Sequence, residues 1–393
     1  MEIAKKNVAV LSACQALLFT NNSTVIALNG LAGYALASNK ALATLPVTGW
    51  VIGAALTTFP ASLLMKSVGR RAGFTLGAII GILGAAVCAV ALYAGSFWAL
   101  CLGTTVFGVY NAFAQYYRFA AADSASPEFR PKAISLVLAG GLVGGIIGPE
   151  TSKHTVQLLP TLYLGGYLAL IGFLVLVIAL LQLLEIPPAK ESASAEPARP
   201  LRTIMAQPAF IVAVLAASMG YGVMNLLMTA SPLAMAVCGH PYSAAASVIG
   251  WHVIGMFGPS LFTGNLIRRF GVTNVMFAGV ALQLVAIGIA LSGISVPHFW
   301  LALVTLGAGW NFLYIGGTTL IAQAATPAER AKTQGTNDLI IFIVLGTSSF
   351  SSGLLLETNG WRTLNLLALP VAAAIAAAIA WYALKRRGAP VAA

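Results

Sequence analysis

The sequence predicts an all-α polytopic membrane protein, with twelve transmembrane helices in two pseudo-symmetric six-helix bundles. Three observations predict it. Of 393 residues, 59% are apolar and 8% charged, against about a quarter charged in soluble domains, and mean hydropathy is +0.89. The apolar residues form long continuous runs, each near the ~20 residues that cross hydrocarbon as a helix. The two halves of the chain repeat one another in order. Such a composition excludes a disordered chain, a soluble enzyme of ordinary make-up and a disulfide scaffold. The four cysteines (Cys14, Cys88, Cys101, Cys238) are scattered, with no metal or redox spacing.

The apolar spans run over about 8–37, 43–65, 73–94, 97–120, 132–151, 160–184, 205–230, 243–266, 273–292, 298–323, 333–356 and 361–384. Backbone groups in hydrocarbon must be bonded within the segment, so such runs are read as helices. A transmembrane β-barrel needs short alternating strands instead. The first run extends past residue 30 without a clear cleavage site, so it reads as a retained helix rather than a signal peptide. The longest polar interruption, Glu185–Arg202, holds four prolines and three glutamates. It reads as a flexible linker over 185–202, leaving 1–184 and 203–393 as the two bundles, the second with a short basic tail.

The net charge of +11 follows from charge placement. With the N-terminus inside, seventeen of the 21 Lys and Arg residues fall in inner loops. Only Lys40, Lys153 and Arg362 fall outside, and Arg118 lies within a span. This asymmetry predicts both termini in the cytoplasm and removes the need for a nucleic-acid partner. Short loops and a basic inner face suit a bacterial inner membrane.

The repeat carries the strongest message. Ser126-Pro127-Glu128-Phe129-Arg130-Pro131-Lys132 matches Thr326-Pro327-Ala328-Glu329-Arg330-Ala331-Lys332 at an offset of 200, which pairs Asn111 with Asn311 and Tyr110 with Trp310. Phe97-Trp98 matches Phe299-Trp300, Gly49-Trp50 matches Gly250-Trp251, and Gly69 matches Gly271, at offsets of 201 or 202. Duplicated six-helix halves are a transporter architecture with a midplane site at the repeat interface.

At this point the chain resembles the major facilitator superfamily, over essentially its whole length. That family's loop after its second helix usually reads G-x-L-a-D-r-x-G-r-k. Here the loop holds Lys66, Gly69, Arg70 and Arg71, and its copy holds Gly264, Arg268, Arg269 and Gly271. The glycines and basic residues fit; Lys66 and Arg268 stand where the family has aspartate. The fifth span carries Gly144, Gly148 and Pro149, which look like the core of a family signature associated with antiporters, without its terminal glycine pair. Close helix packing by small residues is the other reading of these glycines.

Ionisable residues within spans are functional candidates by default. Arg118, Glu150, His252 and Asp338 are the candidates for proton coupling or gating. If the resemblance holds, Lys66, Arg118 and Asp338 form a charge-reversed latch stabilising the outward-facing state. The plainer reading has Arg118 snorkelling to the headgroups and Asp338 capping its helix. His252 is either a cavity group that titrates near neutrality or a packed, hydrogen-bonded side chain. Glu150 is either a gate or a solvated helix end facing Lys153 and His154.

Polar and aromatic residues at midplane depth form the candidate substrate site. Asn21, Asn22, Asn111, Gln115, Asn225 and Asn311 sit on the first, fourth, seventh and tenth spans. These are the cavity-lining helices the resemblance implies. Tyr110, Tyr221, Trp310 and Tyr314 share those spans, and Trp50, Trp251 and His252 extend the set. Amides and rings suit an organic solute with planar or hydrogen-bonding groups; amides that glue helices together are the alternative. No phosphate-binding loop, metal-ligand spacing or nucleophile elbow is present. The expectation is therefore a secondary transporter and no enzyme, without cofactor or metal, working as a monomer on a small organic solute. Protons are the simplest coupling ion. Export by antiport is slightly preferred, and uptake of a nutrient, vitamin or metabolite by symport or facilitated diffusion is the alternative. A non-transporting receptor or assembly factor ranks below both.

Overall fold

Every predicted apolar span is helical in the structure, a computed structural model that describes residues 2–126, 129–186, 199–326 and 329–387. The helices are α1 (Glu2–Leu36), α2 (Leu45–Val68), α3 (Arg70–Tyr93), α4 (Phe97–Ala114), α5 (Tyr117–Asp123), α6 (Arg130–Thr155) and α7 (Leu164–Leu181). They continue as α8 (Leu201–Met205), α9 (Pro208–Val237), α10 (Tyr242–Phe257), α11 (Ser260–Phe270), α12 (Val272–Ser292), α13 (Val296–Ala324) and α14 (Arg330–Arg387). Among the described residues, nine helical stretches are long and apolar enough to cross a membrane by length and composition. The protein is an all-helical integral membrane protein. The last two predicted spans share α14, whose helical path is interrupted at Gly360 (φ 75°, ψ 171°).

Local sequence explains where helices stop. Gly69 and Gly271 adopt φ of 86° and 83° between α2 and α3 and between α11 and α12. That conformation is open to glycine and strained for other residues, so the two repeat-mate glycines build the same corner twice. Pro259 cannot donate the amide that would continue α10, and α11 starts just after it. The fourth predicted span divides into α4 and α5 around Gln115 and Tyr116, where the Tyr116 hydroxyl donates to the Thr58 carbonyl at 3.1 Å.

The chain groups into two compact units, Met1–Glu191 with Thr229–Val253, and Ser192–Met228 with Ile254–Ala393. The first unit is cored by residues such as Leu11, Phe74, Phe107, Tyr117 and Leu174. Its helices approach through glycines. A Cβ on Gly144 would lie 2.4 Å from the Ala16 carbonyl oxygen, and one on Gly148 would lie 2.5 Å from that of Thr20. Thr24 also donates to the Gly148 carbonyl at 3.0 Å. Gly144 and Gly148 therefore let α6 lie directly on α1. In the same unit the Tyr242 hydroxyl hydrogen-bonds Ser152, and its ring lies 6.1 Å from that of Tyr163. Tyr163 has φ 68°, the one positive value outside glycine among the described residues. The second unit is cored around Phe210, Met276, Leu313, Leu320 and Ile375.

Residues 187–198, the body of the predicted linker, lie outside the described residues, as do Pro127-Glu128 and Pro327-Ala328 of the repeat. The flanks of the linker are tied down. At its start Glu185 pairs with Lys6 at 2.5 Å, and its backbone exchanges two hydrogen bonds with the Asn7 amide. At its end the Arg199 guanidinium grips both carboxylate oxygens of Glu329 at 2.7 Å and also reaches the Ala324 carbonyl. The Arg199 amide and the Thr326 amide donate to the same carboxylate, and Lys332 donates to the Arg199 carbonyl.

The Arg199 guanidinium, then the Thr326 amide, hold the Glu329 carboxyl well below the usual carboxylate range. A lowered carboxylate pKa contributes above its unfolded value and is lost only as pH falls through the folded one. The anchor is therefore expected to be constant from pH 5 to pH 8. Glu329→Gln, which removes the charge-assisted pair, should raise amide hydrogen exchange over residues 199–203 several-fold at neutral pH. Unchanged exchange would show that the pair does not hold this segment.

Candidate functional site

The first unit contributes a buried polar group on α1, α4 and α5. Asn21 and Asn22 are consecutive, so they face different neighbours around α1. The Asn22 amide donates to Asn111 Oδ1 at 3.1 Å. Asn21 is fully buried, and neither of its amide atoms has a protein partner at hydrogen-bond distance. Tyr110, on α4, and Tyr117, on α5, are also fully buried; their hydroxyls and the Asn21 amide neighbour one another without meeting hydrogen-bond geometry. Nearby, the Trp50 Nε1 is buried without a partner. Unsatisfied buried polar atoms are costly, and water or a polar solute is what satisfies them.

The second unit contributes an aromatic shelf. Trp310 and Tyr314 are one helical turn apart on α13 and stack at 16° with centroids 5.0 Å apart. Tyr221, from α9, meets Trp310 edge-on at 5.0 Å and Tyr314 edge-on at 5.8 Å. Phe257, at the end of α10, closes against Trp310 at 5.9 Å. The Trp310 ring nitrogen is buried without a partner. These geometries are those in which ring quadrupoles attract. Next to the shelf, Asn311 donates to the Met256 carbonyl at 2.7 Å and to Ser260 at 2.6 Å, and accepts from Thr263 at 2.7 Å. Asn225 donates to the Leu345 carbonyl and to Ser348, joining α9 to α14.

His252 is fully buried, while Trp251 is about half exposed. Glu150 is 52% exposed and pairs with Lys153 at 2.5 Å, with His154 at 3.9 Å. The Arg118 guanidinium lies over the Phe119 ring at 4.8 Å, and its Nε is buried without a partner. Asp338 accepts from its neighbour Asn337 at 3.1 Å. Gln115 is half-buried at the end of α4. Lys66 is exposed; Arg70 pairs with Asp123 at 3.0 Å and Arg71 with Gln182 at 2.7 Å. In the second copy of the loop Arg268 bonds Asn265, and Arg269 lies over Phe270. Open space surrounds Gly264. Pro149 sits within α6, against Gly250. Among the described residues no group of His, Cys, Asp or Glu is placed to hold a metal ion.

Sequence reasoning missed Phe257 and Tyr117. Tyr117 lies past the break at Gln115 and Tyr116, and Phe257 lies at the end of a span, so neither offered a periodic signal.

A model of the Major Facilitator Superfamily matches residues 11–261. The chain belongs to the major facilitator superfamily. A riboflavin transporter of Brucella anthropi, RfnT, is 41% identical over 375 residues, covering 95% of this chain and 94% of that protein. An uncharacterised transporter of the same superfamily from Bacillus subtilis, YddS, is 28% identical over 87% of this chain and 82% of its own. Among solved structures, a bacterial homologue of the human lysosomal transporter Spinster aligns with TM-score 0.72 at 17% identity, over the whole of both chains. The nucleoside transporter NupG aligns with TM-score 0.71 at 14% identity, over 96% of this chain and 98% of its own. At such identities these structures speak for the fold alone. The chain is thus a transporter of this superfamily, embedded in a membrane.

Proposed function

We propose that this protein takes up riboflavin, or a flavin close to it, by alternating access. The observation that carries the reading is the 41% identity to a riboflavin transporter along 95% of the chain. The chemistry of the site supports it. Riboflavin joins a flat tricyclic ring to a polyhydroxylated chain. The Tyr221–Trp310–Tyr314 shelf of the second unit offers faces and edges for such a ring. We read the direction as uptake, the alternative that a riboflavin-transporting relative favours over export, and the fifth-span Gly144 and Gly148 as seating α6 on α1.

The reading includes an ion gradient as the drive, protons first, and a single chain as the working unit. It also places both termini in the cytoplasm of a bacterial inner membrane, on the strength of the basic-loop asymmetry. The test is accumulation of labelled riboflavin by proteoliposomes under an imposed inward proton gradient, with intravesicular pH followed in parallel. Saturable accumulation with acidification of the lumen is expected. Flavin movement accompanied by protons in the opposite direction would restore the export reading, and no flavin movement in either direction would remove the substrate assignment.

A further inference from the structure

Beside the α2–α3 corner the first unit has an open groove of about 570 Å³, and its walls have two characters. One end is basic. Arg70 and Arg71 open α3, and no acidic residue lies in that helix's first turn. Gly69 supplies no side-chain cap, and the first ladder bond of α3 runs from the Gly73 amide to the Gly69 carbonyl. The amides of Arg70, Arg71 and Ala72 thus precede the helical ladder, at the positive end of the helix dipole. Arg70 is balanced by Asp123 at 3.0 Å. Arg71 is held by a neutral group, Gln182 Oε1 at 2.7 Å, which orients the guanidinium without cancelling its charge. Gln182 is itself steadied by Thr75. The other wall is apolar: Leu76 and Ile79, 39% and 44% exposed, continue along α3 away from the basic end.

A positive head site followed directly by an exposed aliphatic wall fits one kind of molecule. We propose that this groove binds an anionic glycerophospholipid, with its phosphate at Arg71 and the α3 N-terminus and one acyl chain along Leu76 and Ile79. Guanidinium and orphan amides together form a phosphate site, and basic pockets at the membrane face hold anionic headgroups. The site belongs to the first half of the chain alone. At the repeat-mate corner α12 opens with Val272 and Thr273 instead of two arginines, although Gly271 builds the same turn. Arg268 and Arg269 lie before that corner rather than after it, which makes them an internal control for charge away from the N-terminus of the following helix. The inference does not depend on the solute the protein carries.

The test is native mass spectrometry of the full-length protein in neutral detergent, titrated with phosphatidylglycerol, with phosphatidylcholine and with inorganic phosphate. Wild-type protein should retain phosphatidylglycerol in preference to phosphatidylcholine. Arg71→Gln should weaken that binding about fivefold, the factor for one basic residue at an anionic membrane surface. Arg71→Lys, which keeps the charge, should bind close to wild type, and so should Arg269→Gln. Equal losses in Arg71→Gln and Arg269→Gln would overturn the proposal in favour of diffuse attraction. Equal retention of the two lipids would remove headgroup recognition. Inorganic phosphate that displaces phosphatidylglycerol at comparable concentration would make the occupant a free phosphate and not a lipid.

Discussion

Replacing Trp310 by alanine is expected to raise the KM for riboflavin uptake by roughly 5- to 150-fold, the range that corresponds to losing one stacking partner worth about 1–3 kcal/mol. Trp310 is the hub of the shelf, stacked on Tyr314 and met by both Tyr221 and Phe257. Trp310 is 4% exposed, so deletion also opens a cavity, and a Trp→Ala change in a packed site costs about 3–5 kcal/mol of stability. Trp310→Phe separates the two effects. It keeps a ring and removes an indole N–H that has no partner, so it should leave a smaller cavity, destabilise less than alanine and show a smaller rise in KM. Uptake kinetics on variants matched for thermal unfolding give the answer. A folded Trp310→Ala protein with wild-type KM would take the flavin ring off this shelf.

The second large effect is structural. Gly108→Ala is expected to destabilise the first unit by about 3 kcal/mol, the upper end of the usual overpacking range. A Cβ there would lie 2.1 Å from the Trp50 carbonyl oxygen and 2.9 Å from the Ala54 amide nitrogen. Both obstacles are backbone, so no side-chain rotation relieves them. The contact is reciprocal, since a Cβ on Gly53 would lie 1.9 Å from the Thr105 carbonyl oxygen. Association of helices in lipid relies on such close backbone approach, so α2 and α4 would have to separate. Gly264→Ala is the matched control: nothing lies within 4 Å of its added carbon, and its effect should stay near zero. Thermal unfolding in detergent of both variants tests the pair. Equal melting temperatures would show that α2 and α4 are free to adjust.

Hydrocarbon imposes helix on any long apolar run, so the ends of the first and tenth spans were legible to within six residues, 8–37 against Glu2–Leu36 and 298–323 against Val296–Ala324. The repeat was legible too, and Gly69 and Gly271 turn the chain in the same way. Breaks inside spans were not. Gln115 and Tyr116 carry no helix-breaking chemistry, and the division there accompanies a tertiary bond from Tyr116 to α2. At the other break the Gly258-Pro259 signal was present, but the apolar run passed over it. Three rings of the shelf were nominated from their spans, yet hydropathy contains no information on which face meets which, so their mutual stacking was not. The Arg199–Glu329 anchor was invisible for a related reason. Glu329 stands where the first repeat has Phe129, and only the fold shows that an arginine 130 residues away meets it. Nor does composition reveal that Thr229–Val253 packs with the first half of the chain.

The amides of Asn111 and Asn311 occupy equivalent places in the two repeats but answer to different surroundings. Asn111 accepts from one other asparagine, Asn22. Asn311 holds a carbonyl and two hydroxyls at once, across the junction of α10 and α11. The same residue in the two copies therefore has a different tolerance for change. At positions 22 and 111 any donor facing any acceptor keeps the bond, so a change at one can be answered by a single change at the other. At position 311 three partners depend on one amide, and no single second change compensates for its loss.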